Sequence, residues 1–389
     1  MAKLGEVCDI LNGYAFKSNQ YTTSGVRIIR ISNVQKGYIE DKSPVYYPCD
    51  DENVKKYELK QNDLLISLTG NVGRTALLEE KFLPAALNQR VSCVRLKEPD
   101  KVLKTYLFHL LNSDYFEQQC MKAAEGVAQK NLSPKWLFEY KIPIYSIERQ
   151  KEISNTLDKI DLLIILRKQQ LAKLDELVKA RFVEMFGDVL LNSMQWPEKT
   201  LENMADIVSG ITKGRKTAEA DLQEVPYMAV SNVKDGYIDW TTVKTILATR
   251  QEIEQYRLMP DDILMTEGGD PDKVGRGAII KVPLKNSIHQ NHIFRVRLDE
   301  QEILPSFFAE YLRHQKAKRY FLGCAKQTTG IASINMRQLR ALPTLVPPLS
   351  LQKQFAAFVE RVDRQKQTIQ QSLEKLELMK KALMQEYFG

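Results

Sequence analysis

The sequence predicts an α+β chain, with two mixed α/β globules joined by two long helices that form an antiparallel coiled coil, the whole built as an internal pseudo-two-fold repeat. Three observations predict it. A set of short motifs in the first half of the chain recurs in the same order in the second. Each half opens with short strands punctuated by Gly, Asn and Asp turns. Each half closes on a stretch without internal Pro or Gly whose apolar residues follow a 4,3 spacing.

The repeat carries most of the weight. Leu4, Asp9, Ile10 and Gly13 return as Leu201, Asp206, Ile207 and Gly210. Ile31-Ser32-Asn33-Val34 followed by Gly37-Tyr38-Ile39 returns as Val230-Ser231-Asn232-Val233 followed by Gly236-Tyr237-Ile238. Asp63 with Gly70 and Val72-Gly73-Arg74 matches Asp262 with Gly269 and Val274-Gly275-Arg276, allowing a three-residue insertion. Asn88-Gln89 before Val94-Arg95-Leu96 parallels His289-Gln290-Asn291 before Val296-Arg297-Leu298. Gly126-Val127 with Asn131-Leu132 parallels Gly330-Ile331 with Asn335-Met336, and Ile142-Pro143 with Ser146 parallels Val346-Pro347 with Ser350. Matches in register over half the chain imply a duplication whose copies close at Phe186-Gly187 and Phe388-Gly389.

Within each copy the first ~100 residues read as strands, such as Val26 to Val34, Leu64 to Leu68 and Arg90 to Leu96. A helix follows near Lys104 to Ala124 and near Pro305 to Leu322. The proline-containing strands Tyr140 to Tyr145 and Leu342 to Leu349 then lead to Ser146 and Ser350, which suit helix N-caps. In the first long helix the seam selects Ile153, Leu157, Ile160, Ile164, Arg167, Leu171, Leu174, Val178, Arg181 and Met185. In the second it selects Phe355, Val359, Val362, Lys366, Ile369, Leu373, Leu376, Lys380, Leu383 and Tyr387. At ~1.5 Å per residue each helix is ~55 Å long, too long to bury a narrow seam on its own globule, so the two are expected to pair. An antiparallel pair would serve as a rigid spacer between the globules. The resulting division is 1–145 and 188–349 for the globules with the linker, and 146–187 and 350–389 for the helices.

Composition excludes several classes. In 389 residues, 43% hydrophobic, 8% aromatic and 27% charged side chains fit two or three folded domains and exclude global disorder. Apolar runs such as Leu162 to Leu166 fall far short of the ~20 residues of a membrane-spanning helix. Glu6 and Asp9 occupy the place of a signal peptide's apolar stretch, so a cytoplasmic location is expected. Cys8, Cys49, Cys93, Cys120 and Cys324 show no Cys-x-x-Cys spacing and read as reduced thiols. The excess of 56 basic over 49 acidic residues permits nucleic-acid binding.

Catalytic motifs are missing. Gly210 to Thr217 has three residues between its glycines where a phosphate-binding loop has four. Gly275-Arg276-Gly277 lacks the third glycine of a dinucleotide fingerprint. His289 and His292 have no nearby Cys or paired carboxylate to complete a metal set and read as turn or strand-end residues. Pro271-Asp272 reads as a turn, since no downstream acid and lysine on one strand complete a nuclease motif, and no Asn/Asp-Pro-Pro-aromatic sequence of an amino-methyltransferase is present. The chain is built to hold and to bind.

Two strand-rich globules each followed by a heptad helix, with Asp63 to Arg74, the Gly126 to Leu132 loop and Pro143 to Gln150, resemble the specificity (S) subunit of type I restriction-modification systems. The resemblance covers essentially the whole chain. It implies that each globule is a target recognition domain reading one half of a bipartite DNA site. The coiled coil would fix the gap between half-sites and dock two modification subunits, whose S-adenosylmethionine chemistry methylates adenine. Two restriction subunits would add translocation and cleavage driven by ATP with Mg. It implies no catalytic residue, cofactor or metal on this chain itself. Trp196-Pro197 precedes the second globule, as family domains often show, whereas Met1-Ala2-Lys3-Leu4 opens the first without a tryptophan. The globules diverge outside the shared motifs, which implies an asymmetric target.

Three other readings compete. A related type II specificity subunit, of the IIB or IIG kind, would share this architecture. A coiled-coil scaffold without DNA binding would show no salt-dependent DNA complex. A self-sufficient nuclease or methyltransferase would be active as the purified chain.

Base reading needs Arg or Lys for guanine and Asn or Gln for adenine, while phosphate contacts need basic side chains and backbone amides. In the first globule the DNA-binding candidates are Arg74, Asn88, Gln89, Arg90, Gln129, Lys130 and Asn131. In the second they are Lys213, Arg215, Lys216, Lys273, Arg276, Gln290, Asn291, Lys326, Gln327 and Thr328. Residues shared by two domains that read different sequences suit turns or phosphates, so Gln129, Lys130, Arg215, Lys216, Gln327 and Thr328 are the expected base readers.

Overall fold

The computed structural model describes residues 1–124, 130–215, 221–328 and 330–389, with the backbone alone for Asp272 and Thr328. Two compact units emerge: Met1–Lys168 with Gln370–Gly389, and Gln169–Ile369. The long helices run Ile147–Phe186 and Leu349–Phe388, so each unit holds a segment of both.

In the first unit Cys8–Asn12, Val91–Leu96, Leu64–Ser67 and Thr75–Leu77 form a four-stranded antiparallel sheet in that order. A second sheet orders Tyr46–Tyr47, Val26–Ile29, Ala85–Leu87 and Glu58–Leu59, with Val26–Ile29 and Ala85–Leu87 parallel. The second unit repeats the plan. Ala205–Ser209, Ile293–Leu298, Ile263–Thr266 and Gly277–Ile279 form its antiparallel sheet, and Lys244–Ala248, Gln223–Met228 and Ile288–His289 form the other, again with one parallel pair. The strand residues Leu64 to Ile66 and Ile263 to Met265 are buried side by side, as expected for strands covered on both faces.

Several repeated motifs prove to be fasteners of this plan. Arg95 grips Asp63 with two hydrogen bonds, Nε to Oδ1 at 2.9 Å and Nη2 to Oδ2 at 2.6 Å, and also donates to Glu58 O. Arg297 does the same to Asp262 at 2.7 and 2.8 Å and to Arg257 O. Such forked charge-assisted pairs fix both distance and angle between strands. Buried Asn33 accepts from Arg30 N and donates to Glu40 O, and buried Asn232 accepts from Ala229 N and donates to Asp239 O. Each side chain replaces a missing backbone partner at a turn.

The structure differs from the sequence reading at six places. The strand from Val26 stops at Ile29, because residues 31–33 turn as a short 3-10 helix around the Asn33 side chain. The helix expected over Lys104 to Ala124 is two, Lys104–Leu111 and Asp114–Ala123, since Ser113 Oγ accepts from Phe116 N and starts a new helix. Its counterpart likewise divides into Pro305–Arg313 and Gln315–Cys324 around the extended His314. Ser146 does cap, accepting from Arg149 N at 3.3 Å, but the second long helix starts at Leu349 with Pro348 O taking the first amides, which leaves Ser350 inside the first turn. The strands expected at Tyr140 to Tyr145 and Leu342 to Leu349 shorten to Lys141–Ile142 and Pro343–Leu345, each paired with the segment opening its globule.

The seam positions of both long helices are buried or half-buried throughout. In the first unit Ile153 and Leu157 share a core with Met384 and Phe388, Asp161 receives Lys380, and Lys168 lies 3.1 Å from Glu377. As numbers rise along one helix they fall along the other, so the pairing is antiparallel. In the second unit Phe182 and Phe186 pack on Phe355, and Asp175 receives Lys366. The two lysines that interrupt the apolar seam are therefore met by carboxylates of the facing helix. Trp196 joins the same core and donates Nε1 to Phe186 O at 3.0 Å, closing the end of the first long helix. All five cysteines are free thiols, and burial pushes Cys8 up to about 12. Among the described residues no helix is long and apolar enough to cross a membrane.

Candidate nucleic-acid interface

In the first globule three loops meet at the end of the antiparallel sheet. Leu68 N donates to Arg90 O at 3.0 Å, Leu132 N to Leu68 O at 2.7 Å, and Gly70 N to Lys130 O at 3.2 Å. These bonds bring the 68–74 turn, the 88–90 turn and the 130–132 segment together. Gln89, Arg90, Lys130 and Asn131 are exposed there, while Asn88 is half-buried with its amide on Ile29 O. Arg74 is held by Gln35, which accepts from Nη1 at 2.6 Å. Gln129, with Gly126 to Ala128, lies outside the described residues.

The same frame stands in the second globule. Glu267 N donates to His292 O at 3.0 Å, Ile334 N to Glu267 O at 2.8 Å, and Thr266 N to Arg276 O at 3.1 Å. Gly268–Gly269 pairs with Ile331–Ser333, which pairs in turn with Lys326–Thr328, so exposed Lys326 and Gln327 join the cluster. Asn291 N donates to Ile211 O and Gln290 N to Met228 O, placing both half-buried amides beside the turn that carries exposed Lys213. Lys273 pairs with Asp270, and that lysine holds the Asp270 carboxyl below its ordinary range. Half-buried Arg276 keeps its Nε buried without a hydrogen-bond partner among the described residues. Lys216 lies outside the described residues, as does the side chain of Thr328.

Arg215 is already engaged. Its Nε and Nη2 both donate to the Glu252 carboxylate, and Nη2 reaches Leu247 O at 3.2 Å. The guanidinium holds the Glu252 carboxyl below its ordinary range. Glu252 also receives the amide of Thr249, whose hydroxyl caps the helix Arg250–Tyr256 in return. Arg215 thus ties its loop to a helix start.

The two shared Gly-Arg pairs have a packing reason for their glycine. Gly73 and Gly275 have φ of 81° and 70°, and an added Cβ would fall 2.8 Å from Cys120 and 2.1 Å from the Phe321 ring. These turns are fitted against the helices Asp114–Ala123 and Gln315–Cys324, whichever bases are read. Among the described residues no group of His, Cys, Asp and Glu could hold a metal ion.

Two candidates escape the sequence reading. Val91 N donates to Asn88 O and Ile293 N to Gln290 O, so Asn88 corresponds to Gln290, Gln89 to Asn291 and Arg90 to His292. His292 Nδ1 lies 2.6 Å from Glu267 Oε2 at the cluster. The matched strand ends Val94-Arg95-Leu96 and Val296-Arg297-Leu298 already put His292 in the place of Arg90, but neither His292 nor Glu267 belongs to the residue types that base reading singles out.

Comparison with known proteins meets this geometry. A family model described as the type I restriction modification DNA specificity domain matches the chain twice, over residues 1–176 and 194–378. The specificity subunit of the type I restriction enzyme EcoKI from Escherichia coli (strain K12) is 20% identical over 96% of this chain and 84% of its own. The StySPI specificity subunit of Salmonella potsdam is 24% identical over 96% and 83%. The MjaVIII specificity subunit of Methanocaldococcus jannaschii is 32% identical, but over 46% of this chain and 43% of its own. Among solved structures, the type I S subunit from M. genitalium covers 100% of this chain and 95% of its own at a TM-score of 0.58 and 16% identity, a likeness of fold.

Proposed function

The chain belongs to the type I restriction-modification DNA specificity family and is a specificity subunit, and from that premise we propose that each globule reads one half of an asymmetric bipartite DNA target. The observation that carries this reading is one loop frame used twice with different side chains. Backbone bonds at Leu68 and Glu267 are equivalent, while the exposed residues around them differ in charge and in hydrogen-bonding sense. A common frame sets a common approach to the duplex, and the unshared side chains choose the bases.

The paired helices then set the gap between half-sites and dock two modification subunits. Exposed Leu162, Leu163, Ile165 and Leu166 on the first long helix support a docking role, because contiguous apolar surface is seldom left to water. Adenine methylation with S-adenosylmethionine, and cleavage driven by ATP with Mg once two restriction subunits join, belong to those partners. This chain contributes recognition without catalysis and works in the cytoplasm.

The test is to sequence adenine methylation in cells expressing this chain with its modification subunit. A bipartite motif with two unrelated halves, lost when the chain is deleted, is expected. An unchanged pattern of methylation after deletion overturns the proposal.

A further inference from the structure

At one position of the repeated frame the two globules carry opposite chemistry. The first presents Leu68 beside exposed Arg90, and the second presents Glu267 beside exposed His292, on backbones joined by the same 3.0 Å hydrogen bond. Leu132 N on Leu68 O and Ile334 N on Glu267 O hold both from the other side, at 2.7 and 2.8 Å. The side chains of Glu267 and His292 line a shallow cavity of about 390 Å³ with Val230, Gly268 and Ser333. Both remain open to solvent, 34% for Glu267 and 57% for His292.

We propose that Glu267 and His292 are specificity-determining residues of the second globule, and that together they select a base presenting an exocyclic amine in the major groove, cytosine or adenine. This rests on the reading of the chain as a DNA-recognition subunit. His292 Nδ1 donates to Glu267 Oε2 at 2.6 Å, and in the neutral imidazole that bond leaves Nε2 as an acceptor. Asn291 Nδ2 lies 3.4 Å from Nε2, too far for more than a weak bond. The pair therefore offers a carboxylate and an imidazole nitrogen, both acceptors. A phosphate repels such a group, whereas the N4 amine of cytosine and the N6 amine of adenine donate to it. Arg90, at the same place in the first globule, offers donors and matches guanine. One frame thus reads two unlike half-sites by reversing the direction of its hydrogen bonds.

The experiment measures binding of the complex of this chain with its modification subunits to duplexes varied at every position of both half-sites. Wild-type protein without preference at any position sinks the DNA-recognition reading itself. With preferences established, Glu267→Gln is expected to shift the preference at one position of a single half-site by about 5- to 150-fold, leaving the other half-site unchanged. His292→Arg, which installs the first globule's residue, is expected to turn the same position towards guanine. The proposal is overturned if both variants retain the wild-type preference at every position, or if both weaken all sequences alike. Retained discrimination at the other half-site shows that the variants are folded.

Discussion

Leu103 N donates to Gln150 Oε1 at 2.9 Å, joining the start of a helix in the first globule to the first turn of the long helix. Gln150 is fully buried and spends its amide on Lys101 O and Tyr145 O. In the second unit Gln352 accepts from Leu304 N at 2.7 Å and donates to Pro347 O and Glu302 O. One carboxamide thus satisfies three backbone groups that no regular element serves. Gln150→Leu strands all three, and a loss of about 3 kcal/mol is expected. Denaturant unfolding of the wild-type and variant chains measures it, and Gln352→Leu should cost a similar amount.

The seam lysines provide a second prediction. Asp161 and Lys380 are each about one-third exposed, so water screens their attraction and the pair is worth about 1 kcal/mol or less. Asp161→Lys should destabilise by roughly that amount by setting two cations together. Combining it with Lys380→Asp should restore the loss, a coupling that a double-mutant cycle reads directly.

A third concerns acid. Burial holds His289 down at about 4, below the ordinary 6.5, with Nε2 3.3 Å from Val208 O. Between those values the unfolded chain binds a proton that the folded chain does not. Stability is therefore complete above about pH 6.5 and declines as pH falls towards 4, by about 2 kcal/mol at pH 5. Thermal unfolding at pH 7.5 and pH 5 checks this. His289→Leu, the residue that pairs with Ile29 at the corresponding strand end as His289 pairs with Met228, should remove that part of the decline.

A fourth separates affinity from choice. Lys130 and Lys213 are exposed at the loop clusters of the two globules. Lys130→Ala, at an expected base reader, should lose discrimination in the first half-site, while Lys213→Ala, at a phosphate contact, should weaken binding to all sequences alike and reduce the salt slope by about one. A titration of DNA binding against salt concentration measures both effects. Sequence-selective loss would instead make Lys213 a base reader.

What the sequence by itself determined is whatever repeats or has a local period. The duplication, the 4,3 seam and the strand positions from Leu64 and Val91 are legible because hydrophobic spacing dictates which face is buried. So are the Gly73 and Gly275 turns, where a positive φ and a packed helix demand glycine. Only the tertiary structure decided which partners those elements take. It divides each long helix between two compact units, gives Lys366 and Lys380 their carboxylates, and commits Arg215 to Glu252. It moves the start of the second long helix ahead of Ser350, because Pro348 O can take the first amides. It also places His292 opposite Glu267, twenty-five residues away in the chain, and in the frame position of Arg90. Such contacts depend on strand register and chain closure, which a local pattern leaves open.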